Sequence, residues 1–350
     1  MIEDQLYDVT IVGGGPAGLY AAFYSGLREM KTKLIEFQPF LGGKVHLYPE
    51  KMIWDVGGMR PVSGEQLIEQ MTEQALTFEP EVVLGEKVTS ISKKEDGQFV
   101  LHTSSGQNHY SKTVILAVGY GIFQPTKLQI DGAERFEVSN LHYTVKSLAR
   151  FKDKVVLISG GGNSAIDWAI ELESIAKKVY LTYRKDMLNG HEAQVTLLRE
   201  SSIECLFNVT IQRLVASEDH EHISTVVLHR QDTDAETELE VDEVIISHGY
   251  DRDRDLLDNS AMRIEMTDDG GVKGTPMSET SVEGLYATGD ILHHEGKLHL
   301  IAGAFQDAAN AVNRAKQYIT PEAWAWGSVS SHNDLFAQKN RELLKHLYSK

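Results

Sequence analysis

Two glycine strings in this chain have the residue types and spacing that hold dinucleotides. The first, Gly13-Gly14-Gly15-Pro16-Ala17-Gly18, follows the β-branched run 9–12 and leads into Leu19-Tyr20-Ala21-Ala22-Phe23. This GxGxxG string sits between a strand signal and a helix signal. Gly13 permits the tight turn, Gly15 lets backbone approach a pyrophosphate, and Gly18 lets the helix pack close to the sheet. The start of the helix, in the same loop as Ala17, offers its amide hydrogens to phosphate. A second strand signal, 32–35, ends in Glu36, 18 residues past Gly18, where a carboxylate can accept hydrogen bonds from a ribose diol. FAD and NAD both fit such a unit, and a glycine-rich turn that binds nothing is the alternative.

The second string, Gly160-Gly161-Gly162-Asn163-Ser164-Ala165, follows the strand signal 154–159. Ile166, Ala169, Ile170, Leu172, Ile175 and Ala176 then recur at helical spacing. The next strand signal, 178–182, ends in Tyr183-Arg184-Lys185, so two cations stand where the first unit has Glu36. Arginine and lysine suit a 2′-phosphate, bidentately for arginine, and the expected ligand is NADPH rather than NADH. Solvated surface charges are the alternative.

These loops need two strand–turn–helix–strand units to position them, and the length supports that. At 350 residues the chain exceeds one small module and accommodates about two domains of roughly 150 residues. A hydrophobic fraction of 41% with 24% charged residues implies a packed core. A net charge of −17 repels phosphate backbones, which excludes nucleic acid as a main partner. Cys205 is the one cysteine, so there is no internal disulfide and no CxxC pair. Redox chemistry therefore requires a bound cofactor. With no secretory signal, no apolar stretch long enough to cross a membrane and no lipidation signal, no membrane association and a cytoplasmic location are expected.

Far downstream, Gly284-Leu285-Tyr286-Ala287-Thr288-Gly289-Asp290 reads as a buried strand that brings a carboxylate to the end of the first unit's sheet. It resembles the TGD segment of flavoproteins with two dinucleotide sites, in which the aspartate holds the ribityl chain of FAD. A helix cap is the other reading of Asp290. The nearby His293, His294, Glu295 and His299 lack a metal-ligand framework and read as a loop and helix start. FAD in one unit and NADPH in the other imply hydride transfer from nicotinamide to flavin, with the protein supplying binding, orientation and electrostatics.

With these motifs in place, the chain resembles the thioredoxin-reductase-like flavoproteins over nearly its whole length. The resemblance implies an α/β fold of two Rossmann-like dinucleotide-binding domains, the NADPH domain (123–255) inserted in the FAD domain (1–122 and 256–350), plus a C-terminal extension. Thioredoxin reductases carry CxxC near 140–146, and bacillithiol-disulfide reductases use a cysteine where this chain has Ala17. Neither thiol is present. The branch without them is the thioredoxin-reductase-like ferredoxin–NADP reductases of bacteria. The segment Leu41-Gly42-Gly43-Lys44-Val45-His46-Leu47-Tyr48-Pro49 and the tail from Trp324 to Asp334 are similar to theirs.

That resemblance implies Tyr48 stacked on the flavin. In a homodimer, the tail would cross so that His332 covers the other face, with Ser331 nearby. It also implies FAD contacts from Glu36, Lys44, Val88, Phe123 and Asp290. The implied function is electron transfer between NADPH and ferredoxin or flavodoxin, by hydride transfer to flavin and then one-electron steps. A general NADPH diaphorase and an FAD-bound redox sensor are the alternatives. An acidic ferredoxin would need a local basic patch on so acidic a chain, for which Lys339, Arg341 and Lys345 are candidates.

Overall fold

The β-branched and aliphatic residues of Leu6–Val12 form the central strand of a seven-stranded sheet in a computed structural model that describes residues 5–327 and 329–348. The side chains of residues 122–124, 251–252, 332 and 346–348 lie outside that description. Leu6–Val12 pairs in parallel with Thr32–Glu36 on one side and Asn108–Leu116 on the other. Glu81–Leu84 extends one edge, and the antiparallel strands Val88–Lys93 and Phe99–Thr103 extend the other. Leu285–Ala287 returns to pair in parallel with the last residues of Asn108–Leu116. Thr32–Glu36 is buried throughout, the pattern of a parallel strand covered on both faces.

Helices complete this first unit. Pro16–Leu27 and Ile301–Ile319 bury Leu19, Ala21, Ala22, Ala308, Ala311, Val312 and Ala315 with strand residues Val9 and Ile11 in one core. Alanine on both helix faces lets the helix backbones approach closely. Gly64–Ala75 adds Leu67 and Met71 to the same core, and its start is fixed by a reciprocal pair in which Ser63 and Gln66 satisfy each other's backbone N–H.

The chain divides into two compact units, the described parts of Met1–His46, Met52–Ile122 and Asp253–Lys350 forming the first, and Leu47–Lys51 with Phe123–Arg252 forming the second. The second is thus inserted in the span of the first, as the α/β fold expectation has it. Its parallel sheet has the order Leu141–His142, Glu243–Ile246, Val155–Ser159, Lys178–Tyr183, Glu204–Phe207. An antiparallel sheet of Val209–Ala216, Ile223–Arg230 and Ala235–Glu240 adjoins it in sequence. Nothing in the sequence motifs announces that second sheet. The helix Asn163–Glu173 ends sooner than its apolar spacing suggests: Ile175 and Ala176 both turn back to the Leu172 carbonyl, and Lys177 already bonds to Lys154. The tether into the next strand overrides the periodicity.

Candidate functional site

In the first unit the glycine loop has the geometry of an anion cradle. Gly13 stands at φ +107°, and a methyl group there would lie 2.5 Å from the Ala117 carbonyl oxygen. A methyl group at Gly18 would fall 1.8 Å from the Gly13 carbonyl oxygen, so the helix can begin this close to the strand end with glycine alone. Gly15 is the N-cap and Pro16 opens the helix, with no side chain capping the first amides. Those amides are therefore available to a phosphate. The segment Leu41-Gly42-Gly43 closes over the loop: the Gly42 N–H donates to the Gly14 carbonyl at 2.8 Å, and a methyl group at Gly43 would meet Gly15 Cα at 2.7 Å.

Two carboxylates flank the cradle. Glu36, at the end of Thr32–Glu36, accepts the Gly14 N–H at 2.5 Å and the Gln38 N–H at 2.7 Å. Burial pushes its carboxyl above the ordinary glutamate value, against the pull of the N–H groups of Gln38, Gly14 and Phe37. Both oxygens keep lone pairs for a ribose diol. Asp290 follows Leu285–Ala287 in a single 3-10 turn, where Gly289 at φ +74° abuts Ala17: a methyl group at Gly289 would lie 3.0 Å from Ala17 Cβ. Among the described residues the half-buried Asp290 carboxylate has no partner.

The second unit repeats the arrangement with different chemistry at the strand end. A methyl group at Gly160 would lie 2.4 Å from the Ser247 carbonyl oxygen, while one at Gly162 would meet nothing within 4 Å. Gly162 is the N-cap of Asn163–Glu173 and again no side chain caps it. Ser164 is exposed and Ala165 buried, its small side chain letting the helix pack on the strand end. Asn163 turns aside to accept the His191 N–H at 2.9 Å, which ties the loop to the helix Glu192–Glu200. Arg184 and Lys185 are exposed just past Lys178–Tyr183, and among the described residues neither meets a carboxylate.

The remaining expected positions scatter. Lys44 Nζ lies 5.9 Å from the Tyr120 ring centre. Tyr48, half-buried, follows the turn Gly43–Leu47 and groups with the second unit, where Lys51 pairs with Glu171 at 3.3 Å. Val88 is a core residue whose side chain packs beside Val12 and Ile35, so any ligand contact there is left to its backbone. Ser331 is exposed in the turn Ser330–His332. The side chains of Phe123 and His332 lie outside the described residues.

Three residues escaped sequence reasoning. Asp307, on Ile301–Ile319, accepts the Gly289 N–H at 3.2 Å and pairs with Lys297 and His294. Arg28 is buried and donates to Asn313 Oδ1 at 2.6 Å and to the Trp324 carbonyl at 2.7 Å, pinning the root of the tail. His248 meets Ser159 Oγ at 2.9 Å beside the second loop, and desolvation with the Arg184 charge lowers its pKa although it keeps exposed surface. The available signal was a charged residue inside an apolar helical pattern, as at Asp307, without its partner.

The two sites fit dinucleotides: each has an uncapped helix start beside a glycine that admits no side chain, Gly13 in one and Gly160 in the other, and a strand end bearing an acid in one and two cations in the other. Comparisons with known proteins agree with this arrangement. The chain matches the pyridine nucleotide-disulphide oxidoreductase family over residues 7–315. It is 64% identical over 347 residues to ferredoxin–NADP reductase 1 of Bacillus mycoides (strain KBAB4), covering 99% of each chain. It is 63% identical over 348 residues to ferredoxin–NADP reductase 1 of Bacillus licheniformis, covering 99% of this chain and 100% of that one. Among solved structures, thioredoxin reductase of Lactococcus lactis in its FR conformation superposes with a TM-score of 0.72 at 25% identity, over 90% of this chain and 99% of that one.

Proposed function

The chain belongs to the pyridine nucleotide-disulphide oxidoreductases and, within them, to the ferredoxin–NADP reductases, and on that premise we propose that it carries electrons between NADPH and ferredoxin through bound FAD. The observation that carries this reading is the presence of two dinucleotide sites in a chain with one cysteine. A disulfide reductase of this architecture uses a CxxC pair or a cysteine in the first glycine loop, whereas Cys205 lies in neither place, is half-buried and is pushed up in pKa by desolvation. Electrons that enter from a nicotinamide must therefore leave from the flavin.

FAD belongs to the first unit. The amides at the start of Pro16–Leu27, beneath Gly13, Gly15, Ala17 and Gly18, hold its pyrophosphate; Glu36 takes the adenosine ribose; Asp290 takes the ribityl chain. Bound there, FAD supplies the change from two-electron to one-electron transfer. NADPH belongs to the second unit: Gly160, Gly162, Asn163, Ser164 and Ala165 form its phosphate loop, and Arg184 and Lys185 hold the 2′-phosphate. Lys44, Tyr48, Val88 and Phe123 complete the surroundings of FAD.

The protein works as a cytoplasmic homodimer in which Ser331 and His332 reach the flavin of a second copy. The anchored tail root supports this: Arg28 fixes the Trp324 carbonyl while the Trp324 and Trp326 residues remain 78% and 65% exposed, apolar surface that a second copy would cover. Among the described residues no helix is long and apolar enough to cross a membrane. Flavodoxin is the second acceptor that this chemistry admits.

The test is cytochrome c reduction assayed with and without ferredoxin, NADPH and NADH side by side. Turnover that depends on ferredoxin and prefers NADPH supports the reading. Equal reduction without ferredoxin makes the protein a general diaphorase.

A further inference from the structure

A buried aspartate stands inside the first unit on the face of Ile301–Ile319 that also buries Gly303, Ala308 and Ala311. Asp307 is 4% exposed. Carboxylates are costly there unless their charge and lone pairs are met. Lys297 Nζ meets one oxygen, with a side chain itself 5% exposed, and His294 Nε2 lies 3.4 Å from the other. Charge neutralisation explains how Asp307 is tolerated but not what it is for, since an apolar residue would fill the same space. Its remaining contact is specific: Oδ2 accepts the backbone N–H of Gly289 at 3.2 Å.

Gly289 directly precedes Asp290, whose carboxylate has no partner among the described residues and so takes its place from the backbone of its turn. On the strand side the turn is held by the Thr288 N–H to the Leu116 carbonyl at 2.9 Å and by Thr288 Oγ1 to the Ala304 carbonyl at 3.4 Å. Asp307 supplies the hold at the left-handed glycine itself. We propose that Asp307 is a positioning residue of the FAD site, fixing the Gly289 amide and through it the Asp290 carboxylate. Lys297 and His294 meet the two carboxylate oxygens of Asp307 in the core. The inference rests on the reading of Asp290 as an FAD ligand.

The test compares two double variants of the full-length protein, D307N/K297M and D307L/K297M, stripped of flavin and titrated with FAD. Both remove the buried charge pair and keep a side chain of four heavy atoms branched at Cγ, but the asparagine carbonyl alone can accept the Gly289 N–H. Positioning predicts FAD affinity within about threefold of wild type for D307N/K297M and a loss of about tenfold or more for D307L/K297M, with altered vibronic structure in the bound-flavin absorption spectrum of the latter. If the leucine variant does not fold, D307S/K297M, whose hydroxyl is too short to reach the amide, takes its place. Equal FAD affinity and equal spectra in the two double variants would overturn the proposal. D290A separates the premise: retained FAD in D290A defeats the reading of Asp290, whereas lost FAD there with equal double variants defeats Asp307 alone.

Discussion

Glu36 Oε2 accepts the N–H of Gly14 at 2.5 Å, which joins the acid at the end of one strand to the glycine loop at the end of its neighbour. The carboxylate proposed to hold the ribose thereby also braces the loop proposed to hold the pyrophosphate. Burial raises its pKa, so protonation begins at a higher pH than for an exposed glutamate. With the ionised form as the proposed acceptor of the ribose hydroxyls, FAD affinity is expected to be full above that raised value and to fall as pH is lowered through it. Linkage requires FAD to lower the Glu36 pKa in turn. Titration of the apoprotein with FAD between about pH 7 and 4 checks this, and a flat profile contradicts it.

Substituting Gly18 by alanine brings a methyl group against the Gly13 carbonyl, which forces helix and strand apart. The expected cost is about 3 kcal/mol or more, with loss of bound FAD. Thermal melting and flavin content of the purified G18A protein measure both. By contrast G162A meets open space and is expected to leave the melting temperature nearly unchanged.

Arg184 is exposed and without a carboxylate partner among the described residues. R184A should raise the KM for NADPH by roughly ten- to a hundredfold, the value of a charge-assisted pair to phosphate, and leave the KM for NADH within about twofold. Equal effects on both coenzymes would reject the 2′-phosphate role.

Much of this was legible in local sequence because glycine loops, strand ends and the acid-versus-cation contrast of Glu36 with Arg184 lie within single strand–turn–helix units. Long-range partners were not. Arg28 bonds Asn313 and Trp324 across nearly the whole chain, and no local pattern encodes that meeting. Asp307 is one of several polar residues of Ile301–Ile319, and the fold alone brings Lys297 and the Gly289 N–H beside it. Val88 shows the opposite limit. Its side chain is buried in the core by strand alternation, and no local pattern tells which backbone atoms of such a strand face a ligand.

The tail gives a fourth prediction. Arg28 holds the Trp324 carbonyl, the Gly327 N–H donates to Tyr24 Oη at 3.3 Å, and the Phe336 ring lies 5.4 Å from that of Phe78. Deleting residues 328–350 leaves the first two anchors intact and removes Ser331 and His332. Flavin absorption and fluorescence should change while FAD stays bound; an unchanged spectrum with unchanged turnover would remove the tail from the site.

In the proposed reaction, electrons enter from NADPH and leave through the flavin without any thiol. Anaerobic rapid mixing of the C205S holoenzyme with NADPH, followed by oxidised ferredoxin, tests it most directly. Bleaching of the flavin band by NADPH is expected to be about tenfold or more faster than by NADH, and its recovery on ferredoxin addition to proceed at rates within about twofold of wild type. Flavin that stays bleached in the presence of oxidised ferredoxin, or recovery that is lost with Cys205, would contradict it.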